Sequence, residues 1–410
     1  MTARTTALGH TAIGLMALAL GACSAGGTDA VSAPLSAPVG AIAPDAVTTA
    51  PAPTPTPVQE RQTLRAMADR TDRDIGIYVE YWRLLPGGNS YDPNYVSDIE
   101  NVAGAEFDIL TLGTYLVSTQ WTKGVWNFSE MDEVAAIAER NGQKLRGHPL
   151  VYGQDNVIPP WLRTARDNED WATVREAMRD GIERTTAQYL GRIAYWDVVN
   201  EAVDWNGSKW TYRDTPYQRA FAVNGAPAYA YLDEAFHLAR AGDPDAKLVY
   251  NDFSNLEING KSDFIYGMVS DMLDRGVPID VVGFQAHLGT DGRDTSWEDG
   301  LLDRDSVRAN FQRFADLGLE IHITELDTHT RGTSPEEMAL QAEMYTLVTE
   351  LCLEQPACTT LQIWGFGDEY TWLDDFHGTG KTYPLLFDED GEAKPAYHAV
   401  LNTLWGRPDR

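Results

Sequence analysis

Eight short apolar runs, each followed by a stretch of helical spacing, constrain this chain more than any other feature. They fall at residues 75–79, 107–112, 144–151, 193–199, 247–250, 280–285, 320–323 and 361–364. Continuous rather than alternating apolar character is what a strand covered on both faces requires. Between the runs, Met131, Val134, Ile137 and Ala138, and again Ala228, Leu232, Ala235, Leu238 and Ala239, fit one face of a helix. Pro160 and Pro227 suit helix starts; Gly142, Gly191, Gly242, Gly276 and Gly318 suit helix ends. Strand and helix alternating eight times predict an α/β fold, a single (β/α)8 TIM barrel over residues 59–410 rather than two domains. A doubly wound open sheet is the competing architecture, but no Gly-rich phosphate turn follows the first run.

The segment ahead of the barrel has a different character. Arg4 and His10 precede an apolar run at 11–22, about half the length of a membrane span. It ends in Leu20, Gly21, Ala22 and Cys23, which resembles the lipobox of bacterial lipoprotein signal peptides. That resemblance implies a signal peptide over 1–22 and lipidation of Cys23; an ordinary secretory signal is the alternative. Residues 24–58 contain no Lys or Arg, and Pro, Ala, Thr, Ser and Gly make up 27 of the 35. Such a stretch buries too little apolar surface to offset its ordering entropy, so 23–58 is expected to be a disordered, Pro/Ala/Thr-rich tether. The expected location is extracytoplasmic, at a bacterial cell surface, with the lipid anchor as the sole membrane contact. There the remaining cysteines, Cys352 and Cys358, are in an oxidising compartment and can pair.

Charge narrows the partners. With 61 Asp and Glu against 32 Lys and Arg, the formal net charge is −29. Phosphate backbones and anionic membranes are repelled, which excludes nucleic acid and favours a neutral polymer. The chain has no Gly-x-Ser-x-Gly elbow, no Gly-x-x-x-x-Gly-Lys-Ser/Thr loop and no His-Glu-x-x-His helix. No second Cys/His pair stands at zinc-ligand spacing. No metal or cofactor is expected, and the protein is expected to be a monomer.

In a (β/α)8 barrel the chemistry sits at the C-terminal ends of the strands. The third run ends near Arg146, Gly147 and His148, the fourth in Asn200 and Glu201, and the fifth in Asn251 and Asp252. The sixth ends in Gln285 and His287, the seventh in Glu325 and Asp327, and the eighth in Trp364. Six strands finishing in such residues exceed what solvation of a rim requires. Glu201 and Glu325 form the sharpest pair, since two carboxylates flanking an acetal can cleave it, one as proton donor and one as attacking group. Asn200 suits a sugar 2-hydroxyl, and a chain through Glu325, His287 and Asp327 would keep the attacking carboxylate charged. Spacing alone leaves the alternative that each Glu belongs to a structural ion pair.

At these residues the sequence resembles glycoside hydrolase family 10, the endo-β-1,4-xylanase family. The likeness runs from about residue 75 to 404 and is carried by Trp196-Asp197-Val198-Val199-Asn200-Glu201-Ala202 and Ile323-Thr324-Glu325-Leu326-Asp327. Tyr250-Asn251-Asp252, Gly283-Phe284-Gln285-Ala286-His287-Leu288, Arg146-Gly147-His148, Trp364-Gly365 and Thr371-Trp372-Leu373 continue it in order. The resemblance implies a retaining endo-β-1,4-glycanase with Glu201 as acid/base and Glu325 as nucleophile. It also implies that His148, Asn200, Gln285 and His287 contact the sugar, that Trp364 and Trp372 wall it, and that Asp327 supports them from behind. It matches Cys352 and Cys358 to a disulfide common in these enzymes.

The glycone side departs from the family pattern. Where Thr-x-Glu-Asn-x-x-Lys usually follows the second strand, this chain has Thr111-Leu112-Gly113-Thr114-Tyr115-Leu116-Val117. The usual Trp-His after the third strand is replaced by Tyr152-Gly153, and Tyr152 is expected to contact substrate in place of the Trp. Losing three gripping groups implies a different or looser glycone, or a shorter or decorated substrate. The expected substrate is xylan or a related plant β-glycan. The alternatives are a β-glucosidase or a plant-glycoside hydrolase with a bulky aglycone, and a non-hydrolytic carbohydrate-binding surface lipoprotein.

Overall fold

A computed structural model describes residues 62–223, 225–290, 302–378 and 380–406. Cys23, the expected signal peptide and the expected tether lie outside the described residues. Eight strands form the barrel: β1 Asp74–Tyr78, β2 Ile109–Gly113, β3 Lys144–His148, β4 Tyr195–Asn200, β5 Lys247–Asp252, β6 Val281–Phe284, β7 Glu320–His329 and β8 Cys358–Ile363. All pair in parallel in chain order, and β8 pairs with both β7 and β1, so the sheet closes without an edge. The fold is a (β/α)8 TIM barrel.

Helices cover the outer face as the spacing predicts. In Ser129–Asn141 the buried positions are Met131, Val134, Ala135, Ile137 and Ala138, and Gly142 caps the helix in the left-handed region with φ 63°. Pro160 begins the helix Pro160–Asp167. Pro227 does not begin one: its carbonyl accepts the Ala230 N–H in a turn, and the helix runs Ala230–Gly242. Cys352, near the end of the helix Pro335–Glu354, is disulfide-bonded to Cys358 at the start of β8.

The expected strand limits shift where polar side chains find partners. β7 was expected to stop at 323 but continues to His329, its last three residues pairing with the short strand His287–Gly289. Glu325 and Asp327 therefore belong to the strand, and their carboxylates project from a fixed backbone. β3 ends at His148, and Val151 makes only an isolated bridge to Val199. The bulky Trp196 faces outward and bonds Asp243; a Cβ at Gly147 would lie 2.0 Å from its ring, so only glycine fits there.

The barrel interior holds a polar layer beneath the rim. Arg146 of β3 donates to Asp197 of β4 at 2.9 Å and lies 3.1 Å from His322 Nδ1 of β7. Contacts among these three strands can only run through the interior. Below them Tyr195 packs edge-on against His322, beside Ile109, Val249 and Val281.

Candidate active site

Strand register brings the rim residues to one level. Asn200 is opposite Asn251, Gly113 opposite His148, and Asp327 opposite His287. A register shift between Asp197 and Val199 re-aims the end of β4. Glu201, directly after it, takes φ 55°, and Ala286, between Gln285 and His287, takes φ 60°. Left-handed conformations at non-glycine residues are strained, and here both turn neighbouring polar side chains into the barrel mouth.

Glu201 is half-buried and ringed by donors. Its Oε2 accepts from Tyr152 Oη at 2.8 Å and Gln154 Nε2 at 2.9 Å, with Arg213 Nη2 at 3.4 Å. Its Oε1 accepts from Gln285 Nε2 at 3.2 Å and Asn200 Nδ2 at 3.4 Å. Burial raises the carboxyl pKa, but Arg213, Tyr152, Lys261 and Gln285 together outweigh it and hold Glu201 below the ordinary Glu value.

Glu325 is 4% exposed and differently held. Asn251 Nδ2 donates to its Oε1 at 2.6 Å, and His287 Nε2 lies 3.2 Å from its Oε2. His287 Nδ1 lies 2.9 Å from Asp327 Oδ1, and Trp372 Nε1 donates to the other Asp327 oxygen at 2.9 Å. Burial opposes charge on His287, but Asp327 and Glu325 on either side prevail and lift its pKa to about 10. An imidazolium between two carboxylates results. Asn251 also donates to Asn200 Oδ1 at 2.9 Å, which in turn accepts from Gln285, so an amide chain links the surroundings of the two glutamates.

His148 Nδ1 lies 2.7 Å from Asp197 Oδ2 and 3.9 Å from Glu325 Oε1. The edge of its ring meets Trp364, with centroids 4.9 Å apart. All ten rim residues named from the sequence thus gather at one mouth: Glu201, Glu325, His148, Tyr152, Asn200, Gln285, His287, Asp327, Trp364 and Trp372. Among the described residues, no group of three His, Cys, Asp or Glu side chains could hold a metal ion.

The site uses five residues to which the sequence assigns no role there. Asn251 was visible as a strand end, but its bonds to Glu325 and Asn200 were not. Asp197 and Arg146 sit inside strands, where a charge signals a buried partner without naming it. Gln154 lies in the irregular loop after β3, where no spacing marks it. Arg213 follows the hairpin Val203–Trp205/Trp210–Tyr212, a loop insertion without periodicity.

Residues 65–403 match the family model described as glycosyl hydrolase family 10. The chain belongs to this family. It is 34% identical over 353 residues to endo-1,4-beta-xylanase B of Thermotoga neapolitana, covering 83% of this chain and 91% of that one. Among solved structures, native xylanase 10B from Thermotoga maritima aligns with a TM-score of 0.71 at 33% identity, over 84% of this chain and 98% of that one. Xylanase 10B from Thermotoga petrophila RKU-1, in complex with xylobiose, aligns with a TM-score of 0.71 at 32% identity, over 84% and 97%. As a family 10 member the protein is a glycoside hydrolase, and its barrel mouth is the candidate active site.

Proposed function

We propose that this protein is a retaining β-1,4-glycanase of the xylanase type, acting on xylan or a related plant β-glycan, with Glu325 as nucleophile and Glu201 as acid/base. The observation that carries the reading is the contrast between the two carboxylates. Glu325 is buried against a cationic His287, which holds and aims its carboxylate. Glu201 stands at the more open position, within reach of a departing oxygen and of water. In the first step a Glu325 oxygen bonds the anomeric carbon while the glycosidic C–O bond breaks and Glu201 gives its proton to the leaving oxygen. In the second, Glu201 takes a proton from water, whose oxygen displaces Glu325 from the sugar. Asn200 is placed to bond the 2-hydroxyl; His148, Gln285, Trp364 and Trp372 orient the ring.

Net retention is the test. Proton NMR of the first products from a xylo-oligosaccharide should show the β-anomer appearing before mutarotation; initial release of the α-anomer would overturn the double displacement.

The donors around Glu201 carry a pH consequence. They favour its ionised form, whereas the first step needs it protonated, so activity should fall as pH rises through a depressed pKa. Tyr152→Phe removes one donor to that charge, worth about 1.4 kcal/mol or roughly one pH unit. The alkaline limb of kcat/KM should move upward by that amount; an unmoved limb shows that Tyr152 has no hold on the titration of Glu201.

The Cys352–Cys358 bridge and the lipobox-like residues around Cys23 support a lipid-anchored, extracytoplasmic enzyme. A second reading, hydrolysis of a glycoside with an altered glycone and a bulky aglycone, is favoured by the tyrosines beside β1 and β2.

A further inference from the structure

We propose that the glycone side of this cleft holds a single sugar residue, so that the enzyme cuts the first β-glycosidic bond from the non-reducing end. The proposal rests on the assignment of Glu201 and Glu325 above. The space after β2 is filled, not vacated. A Cβ built at Gly113 would lie 2.1 Å from Tyr81 Cε1, with two further ring atoms within 3.0 Å. No side chain can occupy position 113 while that ring stays. Tyr81 is 4% exposed, on the short turn Tyr81–Arg83 beyond β1, and its hydroxyl lies 2.8 Å from Ser118 Oγ in the segment after β2. The ring is wedged between two loops and tied to one of them.

The neighbouring positions offer a second sugar nothing to bind. Thr114 is buried, and its hydroxyl donates to the Pro149 carbonyl at 3.0 Å. Val117 has no polar side-chain atom. In front of them Tyr78 stacks on Trp364 with centroids 4.2 Å apart, and Tyr78 and Tyr115 are close enough to interact electrostatically. The Tyr115 ring then reaches His148 at 5.7 Å and Tyr152 at 6.5 Å. Trp364, Tyr78, Tyr115 and Tyr152 therefore form an unbroken arc from the end of β8, across β1 and β2, to the loop after β3. Burial and the nearby Glu325 push the Tyr115 hydroxyl well above its usual pKa, so it stays neutral.

The other flank is open. Glu201 protonates the departing oxygen, so the leaving group extends over the end of β4. There the hairpin after Glu201 carries Trp205, 49% exposed and in edge contact with Trp210. An exposed indole accepts sugars or aryl groups with little discrimination. A closed glycone pocket facing an open aglycone side fits a terminal β-pyranoside carrying a variable leaving group.

Two aryl glycosides and a reducing-end-labelled xylo-oligosaccharide series test this. The wild type should cleave aryl β-xyloside with a kcat/KM at least about tenfold above that for aryl β-xylobioside, and should release xylose as the first unlabelled product. Preference for the xylobioside, or unlabelled xylobiose as first product, overturns the one-sugar pocket while leaving the hydrolytic reading intact. Cleavage of none of these substrates defeats both. Tyr81→Ala should shift the first product towards unlabelled disaccharide. If that variant does not fold, the wild-type product pattern alone decides.

Discussion

Glu325→Ala is expected to lower kcat on an aryl β-glycoside by at least about 10⁴-fold with the fold intact, because it removes the group that forms the covalent bond. The structure explains why the barrel should tolerate the change. Asn251 keeps its bond to Asn200 Oδ1 and its bond from Thr324, and His287 keeps its counter-charge in Asp327 at 2.9 Å, so the only donors that lose an acceptor, His287 Nε2 and one Asn251 N–H, face the vacated space, where water can enter. Backbone pairing of β7 with β6 and β8 does not involve the side chain. Melting temperature should therefore move little while turnover collapses. A small anion such as azide, entering the vacated space, should restore part of the turnover. Glu201→Ala should instead leave kcat/KM on a good aryl leaving group little changed, since departure needs no proton, while lowering kcat because the second step loses its base; on xylo-oligosaccharide both should fall severely. Residual Glu325→Ala activity within tenfold of wild type would remove Glu325 from the chemistry.

The largest stability effect is expected at Asp197. Arg146 is fully buried and gives Asp197 a bidentate pair, and His148 bonds the same carboxylate. Asp197→Ala leaves that guanidinium without its counter-charge, at a cost of about 3–5 kcal/mol. The urea midpoint should fall accordingly. The double variant Arg146→Met/Asp197→Leu should regain most of the loss, because the penalty is the orphaned charge rather than the missing attraction. It should not regain activity, since His148 loses the carboxylate that orients its ring. A double variant as unstable as the single would contradict this account. Burial raises the Asp197 pKa, but Arg146 and then His148 outweigh it and leave it below the unfolded value. Its contribution to stability is thus complete above the unfolded carboxylate range and fades as pH falls through the lower folded pKa.

Much of this site was legible because it is local. A buried parallel strand reads as an apolar run, and the first polar residues after it stand at the barrel mouth whatever the helices do. That reasoning places Asn200 and Glu201, Gln285 and His287, and Glu325 and Asp327 together before any contact is known. The long reach of β7 was missed for a related reason. Glu325 and Asp327 look like the end of a strand in one dimension, and only their partners across the mouth keep the strand going.

What the sequence determined by itself is the barrel and the residue types around its rim, since both follow from periodicity and from where each apolar run stops. What only the tertiary structure decided is how those residues act on one another. Tyr152 against Glu201, Arg146 against Asp197 and Asn251 against Glu325 join segments far apart in the chain, and nothing in local spacing specifies such a meeting. Gly113 shows the difference most plainly. As a letter it is a missing side chain and implies a looser grip, whereas in the fold the Tyr81 ring from another loop stands in that space and closes it. An absence in sequence becomes a wall in structure because the packed interior leaves no vacancy unfilled.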